Sequence, residues 1–251
     1  MLTVEHKERY ARHLLLEGLG EAGQLQLLKG SVLVIGAGGL GSPALFYLVA
    51  AGVGRVGIAD SDVVELSNLQ RQILHSTEKI GQLKVVSAVT TLKPLNSEVK
   101  LLGYPFRVDA DNISGLINEY DFVIDATDNF ESKFLINDAC VDSKKAYSHG
   151  GILRYKGQTM TVVPGESPCY RCIFPESLEG EDAIACSKAG VLGVLPGIIG
   201  TLQATEAIKY LTGVGELLTG RLLTYDSAEM KFREITVRRN PGCPVCGESL
   251  K

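Results

Sequence analysis

The feature that most constrains the fold is a junction near the N-terminus. Val32-Leu33-Val34-Ile35 runs straight into Gly36-Ala37-Gly38-Gly39-Leu40-Gly41 and then into a helical pattern ending at Ala51. The β-branched run reads as a short strand. The glycines permit a tight turn, close backbone approach to a phosphate and close helix–strand packing. The helix beyond them would offer free N–H groups and a positive dipole end to an anion. Asp60 lies 19 residues beyond Gly41, at the end of the next strand, where a carboxylate can accept hydrogen bonds from a ribose. Strand, loop, helix and acid in this order point to an adenine nucleotide, the alternative being a glycine turn used only for packing. On these residues alone, an NAD-dependent dehydrogenase leads.

Helical and strand periods alternate along the chain, which predicts an α/β fold with a largely parallel sheet. Helices are expected over 5–17, 40–51, 84–93, 129–143 and 198–212. Strands are expected over 31–35, 55–59, 98–104, 122–125, 146–148 and 158–163, with a closing hairpin of 221–225 and 232–237. The 251 residues, 45% hydrophobic, suffice for one large core without a linker that would separate two domains. A net charge of −4 gives no reason to expect nucleic acid, which needs a clustered basic surface. The longest apolar stretches are about half of the roughly 20 residues a membrane span requires, and the first residues lack the apolar core of a signal peptide. The reading is a cytosolic protein.

Further residues turn the nucleotide towards ATP. Lys84 opens a helix, where the macrodipole disfavours a cation, and an anion such as a triphosphate would remove the conflict; a solvated surface lysine is the plainer alternative. Asp125-Ala126-Thr127-Asp128-Asn129 sits where a strand ends and a helix begins. Ligands bind beyond the carboxyl ends of parallel strands, so Asp128 is placed to reach a Mg²⁺ carried by phosphates, unless it serves as a helix N-cap.

With Ser67-Asn68-Leu69-Gln70-Arg71-Gln72 added, the chain resembles the ThiF/MoeB/HesA adenylyltransferases. The likeness runs from Arg9-Tyr10-Ala11-Arg12 to Cys243-Pro244-Val245-Cys246-Gly247. It implies a Rossmann-like doubly wound sheet in a homodimer that uses MgATP to adenylate the C-terminal Gly-Gly of a small ubiquitin-like sulfur carrier. The expected nucleotide site comprises Gly36, Gly38, Gly39, Gly41, Asp60, Asp62, Ser67, Asn68, Arg71, Lys84, Asp128 and Asn129. By the same resemblance Asp60 meets the ribose, Asn68, Arg71 and Lys84 the phosphates, and Asp128 the magnesium, while Arg12 reaches the partner subunit's site. The family often has Gln where His13 stands and Pro where Leu83 stands; neither position supplies a proposed charge.

Two CxxC pairs, Cys169/Cys172 and Cys243/Cys246, are separated by 70 residues. Four thiolates suit tetrahedral Zn²⁺ and leave no open catalytic position, with redox pairs or disulfides as rivals. Zinc would tether the tail, 239–251, to the start of an irregular crossover loop, 169–189. Cys140 reads as core. Cys186, in that loop beside Lys188, is a candidate for a covalent role in sulfur transfer or a bland loop residue. His149 reads as a hydrogen-bonded strand-end histidine; His6, His13 and His75 read as surface or packing residues.

The expected function is ATP-dependent adenylation of a ThiS- or MoaD-type carrier for thiamine, molybdopterin or related sulfur transfer, with a separate sulfur donor. The rivals are a nicotinamide-dependent oxidoreductase and a non-catalytic nucleotide-binding scaffold. In the first, Arg71, Lys84 and Asp128 would lack a shared purpose; in the second, their loss would be the signature, and all three are present.

Overall fold

The computed structural model describes residues 1–174 and 189–247. The centre of the molecule is β1 (Ser31–Ile35), paired in parallel with β2 (Arg55–Ala59) on one side and β4 (Phe122–Asp125) on the other. Val32 and Val34 enter the core on one face of the sheet, and Leu33 and Ile35 that on the other. A strand buried on both faces needs an unbroken apolar run, which is why alternation is absent here.

The chain passes from β1 to β2 and on to β3 (Lys100–Tyr104), then returns across β1 to form β4 and β5 (Tyr147–Leu153). Three antiparallel strands complete the sheet: β6 (Lys156–Val162), β7 (Arg221–Asp226) and β8 (Lys231–Thr236). The order is β3-β2-β1-β4-β5-β6-β7-β8, largely parallel as expected, with the predicted C-terminal hairpin at its edge. The reversal between β1 and β4 creates a crevice at the carboxyl ends of the strands. Helices α3 (Gly20–Lys29), α4 (Gly41–Ala50), α5 (Lys84–Leu92) and the long Leu195–Thr212 helix pack on one face; those at Ile113–Asn118 and Phe130–Asp142 pack on the other.

Four details differ from the sequence expectation. The N-terminal helix is split into α1 (Val4–Arg9) and α2 (Ala11–Leu14), because Tyr10 leaves helical geometry. Its buried hydroxyl accepts a hydrogen bond from Asn96 Nδ2 at 2.9 Å. Strand β5 continues through Gly150-Gly151, which look like a strand end. Gly150 is there for space, since a Cβ would lie 2.5 Å from Gln203 Oε1. Helix α6 (Ile113–Asn118) was not expected; it is short, but buries Ile113, Leu116 and Ile117. The long helix, α9, starts at Leu195 rather than Ile198, with Pro196 tolerated in its first turn. Helix α7 (Phe130–Asp142) matches its expectation to within one residue at each end.

Gly36 is the backbone constraint in the loop after β1. Its φ is +102°, and an added Cβ would lie 2.6 Å from Ala126 O. Gly36→Ala should therefore lower stability by about 1–3 kcal/mol in urea denaturation, from strain and collision together. Gly115→Ala, in α6 with open space around it, should be neutral or stabilise by up to about 1 kcal/mol.

Candidate active site

Pairing in register places Ile35 beside Ala59 and Asp125, so three chain segments leave the sheet at one level. The loop after β1 is held by the end of β2 and the residues just beyond it. Gly36 N donates to Ala59 O at 2.8 Å, and Ala37 N to Asp60 Oδ2 at 2.8 Å. The other oxygen of Asp60 accepts from Asp62 N at 2.8 Å. Burial pushes the Asp60 carboxyl up, while Lys84 and these two N–H groups pull it down. Beneath the loop, His75 is buried with Nε2 2.9 Å from Ala37 O and Nδ1 2.8 Å from Ser87 Oγ. It is a packing residue, and it packs the loop itself.

Lys84 opens α5 as expected but is not a solvated surface lysine. Its side chain is 7% exposed, and Nζ donates to Asp62 Oδ2 at 2.7 Å. The carboxylate supplies the negative charge that a cation at a helix N-terminus calls for. Arg71 is half-buried beside Gly39, with Nη1 donating to Ser67 O at 3.1 Å. Asp128 is not the N-cap of α7. That task falls to Asn129, whose Oδ1 accepts from Ser132 N at 2.9 Å, and Asp128 remains exposed.

These groups line a cleft of about 970 Å³. Gly36, Gly38, Gly39, Asp60, Asp62, Arg71, Lys84, Asp128 and Asn129 all stand on its wall. Gly41 does not; it lies under the loop, where a side chain would collide with Gly36 O. Ser67 and Asn68 form a 3₁₀ turn, Leu66–Asn68, behind Arg71. Arg12 is exposed on α2, outside the cleft lining. A second groove of about 790 Å³ shares Thr127, Asp128, Asn129, Phe130 and Ile152 with the cleft and continues along β5 and β6.

Next to the wall residues Tyr170, Arg171 and Ile173, Cys169, Cys172, Cys243 and Cys246 converge, with all four sulfurs within 4.8 Å of one another. Cys169 and Cys243 are 3.6 Å apart and Cys172 and Cys246 are 3.4 Å apart, so neither pair is a disulfide. The cluster can hold a metal ion. Cys140 is fully buried, as expected of a core residue. Cys186 and most of the expected crossover loop lie outside the described residues.

A model of the ThiF family matches residues 10–245. The chain belongs to the ThiF family. It is 47% identical over 251 residues to the sulfur carrier protein adenylyltransferase of Thermus thermophilus, covering 98% of this chain and 93% of that protein. Identity is also 47% over 247 residues with the SAMP-activating enzyme E1 of Haloferax volcanii, at 98% and 91% coverage. The maize adenylyltransferase and sulfurtransferase MOCS3-1 is 47% identical over 242 residues; the chain spans about half of it, 52%. E. coli MccB solved with ATP shares the fold, with a TM-score of 0.84 at 24% identity, over 95% of this chain and 74% of MccB. This family member is an adenylyltransferase, and the oxidoreductase and scaffold readings fall.

Sequence reasoning missed one part of the site. Lys133 of α7 looks like a solvated helix lysine, yet its side chain is 8% exposed. Its Nζ donates to Thr127 O at 2.7 Å, Gly150 O at 2.6 Å and Asp125 Oδ2 at 3.2 Å. His149 Nδ1 stands 3.0 Å from the same oxygen of Asp125. Burial alone would raise the Asp125 carboxyl, but Lys133 and His149 outweigh it and hold it at about 2. The readable signal was spacing. Lys133 shares a helix face with Asn137 and Cys140, four and seven residues on, and both are buried.

Lys133→Met should cost about 3–5 kcal/mol in urea denaturation, because it strands a buried carboxylate. The pH dependence has a definite sign. A carboxyl depressed to about 2 contributes stability that is complete above its unfolded pKa of about 4 and is lost as pH falls towards 2. Urea midpoints measured through that window should fall in the wild type.

Proposed function

We propose that this enzyme adenylates the C-terminal glycine of a small ubiquitin-like sulfur carrier. The observation that carries the reading is the wall shared by cleft and groove. A nucleotide in the cleft and an extended tail in the groove would meet at Thr127–Phe130, with Asp128 between them. In that arrangement the tail's carboxylate oxygen attacks the α-phosphorus of ATP. The bond from that phosphorus to the bridging oxygen breaks, leaving an acyl-adenylate and pyrophosphate. No titrating base is required; the protein aligns the reactants and stabilises charge on the departing pyrophosphate.

Gly38 and Gly39 would accommodate the phosphates, and Asp60 would exchange a backbone partner for the ribose. Arg71 and Lys84 would meet the phosphates, Lys84 giving up Asp62 to do so. Asp128, exposed and free of the capping role, fits the magnesium that accompanies the nucleotide. That ion would neutralise phosphate charge. Arg12, outside its own chain's cleft, would act from the second copy in a homodimer. Leu15 and Leu16, 76% and 55% exposed on the same surface, suit burial between two chains. The carrier would be of the ThiS or MoaD type, serving thiamine, molybdopterin or a related sulfur-containing product. Sulfur would come from a separate donor, and any covalent role of Cys186 would belong to that later step. We place the enzyme in the cytosol, where thiols stay reduced.

With MgATP and its cognate carrier, the enzyme should exchange labelled pyrophosphate into ATP. Removing the carrier's last glycine should abolish exchange, and undiminished exchange would refute the substrate. Asp128→Ala should reduce exchange roughly 100-fold, comparable to loss of other groups that stabilise transition-state charge; full activity would remove Asp128 from the reaction.

Zinc fits the cysteine cluster. At a Zn–S distance of about 2.3 Å, tetrahedral geometry puts sulfurs about 3.8 Å apart, near the 3.6 and 3.4 Å found here. Burial pushes the Cys169 and Cys172 thiols up, so ionising that pair calls for a cation beside them. Asn240 N also donates to Cys172 Sγ at 3.4 Å, a contact suited to a bound thiolate. Elemental analysis should find one zinc per chain, and chelation should lower Tm, since metal binding and folding are coupled. Protein free of metal after purification under reducing conditions would exclude zinc.

A further inference from the structure

His149 and Gln158 both line the second groove, and the adenylation chemistry gives neither a task. Gln158 lies opposite Gly151 in the β5–β6 pair, diagonal to His149 on the same face of the sheet. Asp125 decides the tautomer of the imidazole. An ionised carboxylate can only accept, so the Nδ1 that faces Asp125 Oδ2 at 3.0 Å carries the proton. Burial pushes the pKa of His149 down, which keeps the other nitrogen bare. Tyr170 from α8 (Tyr170–Ile173) packs against the ring, with ring centroids 4.6 Å apart, and the charge of Lys133 from α7, itself bound to Asp125, pushes the imidazole pKa the same way as burial.

Nε2 of His149 is therefore an acceptor. The group 3.4 Å away must be the NH₂ end of the Gln158 amide rather than its carbonyl. That choice fixes the amide's polarity. Oε1 of Gln158 takes no hydrogen bond among the described residues, and the side chain is half-buried on the groove wall. Gly151 leaves room beside both side chains: a Cβ there would lie 3.3 Å from Gln158 Cγ and 3.4 Å from both His149 Nε2 and Gln158 Nε2.

We infer that Gln158 is a specificity residue for the tail in the groove: its Oε1 accepts a main-chain N–H of an extended C-terminal segment, while Asp125 and His149 are positioning residues that fix its direction. This rests on the proposed adenylation, which supplies the tail. Glycines offer no side chains to recognise, so the wall can read only their backbone. With the amide reversed, Gln158 would set donor against donor at the tail and leave His149 Nε2 facing a carbonyl.

The test uses a Gly-Gly carrier that supports pyrophosphate exchange, prepared by ligation with each of its last three peptide bonds replaced in turn by an ester. Each ester removes one N–H. In the wild type, one replacement should lower kcat/KM for the carrier about tenfold, as loss of a single hydrogen bond implies. Gln158→Leu should lower kcat/KM for the all-amide carrier by a similar factor and no longer distinguish ester from amide at that bond. KM for ATP should be unchanged. His149→Phe, which frees the amide to turn, should narrow the same discrimination. Equal discrimination by wild type and Gln158→Leu at all three bonds overturns the inference. Nitrogen-edited NMR of histidine-labelled protein should show His149 neutral with its proton on Nδ1 at neutral pH, and a proton on Nε2 overturns the relay. Failure of every Gly-Gly carrier to support exchange would instead remove the adenylation proposal, and the spectrum would still decide the relay.

Discussion

Everything in the site depends on the register of three parallel strands. Ile35, Ala59 and Asp125 end level with one another, so the glycine loop, Asp60 and the Asp125–Asn129 segment emerge at one height. The glycine loop borrows its shape from those neighbours, through Ala59 O on one side and the close approach of Ala126 O on the other. A one-residue slip of β2 or β4 would reverse every side chain of that strand between the two cores. Both faces of β1 are buried, so hydrophobic packing enforces the same register that aligns the site.

Three charged groups in the cleft already have partners within the chain. Lys84 is paired with Asp62, Asp60 with two backbone N–H groups, and Arg71 with Ser67 O. The Asp62 carboxylate supplies the counter-charge to the Lys84 ammonium, and being 67% exposed it can return to water at low cost. Asp125 differs from Asp62 in this respect. Fully buried and bound by Lys133, Thr127 and His149, it cannot leave. One aspartate is placed to exchange partners, and the other holds the floor.

Much of this was legible in the sequence where a local rule and a tertiary role coincide. The strand–glycine–helix junction, Asp60 at the end of β2, the two CxxC pairs and the edge hairpin follow from short-range chemistry. Three of the misses share a cause: in each, a residue's role is fixed by a distant segment. Tyr10 breaks its helix because Asn96 and Gly52 are waiting for it. Gly150 keeps to a strand because Gln203 occupies the space beside it. Lys133 turns inward because Asp125 and two carbonyls need a donor. Composition and periodicity carry little of this; a polar residue on the buried face of a helix is the one local sign.

The histidines show why the chemistry need not involve proton transfer by the protein. His75 is committed to Ala37 O and Ser87, His149 to Asp125, His13 to Gln24 and His6 to Glu98. Burial drives the pKa of His75 and His149 down, and neither ring is free to move between acid and base without breaking a buried hydrogen bond. Attack by a carboxylate on a phosphoanhydride makes no such demand, because the nucleophile is already ionised at neutral pH and the leaving group departs as an anion. What it requires is fixed positive charge beside the phosphates and a rigid wall to align the carboxylate. In the proposed reaction Lys84 and Arg71 would supply the first. The second would come from β4 and β5, locked together by Lys133 through Thr127 O and Gly150 O. A site that binds its own titratable groups this firmly is suited to positioning reactants rather than exchanging protons with them.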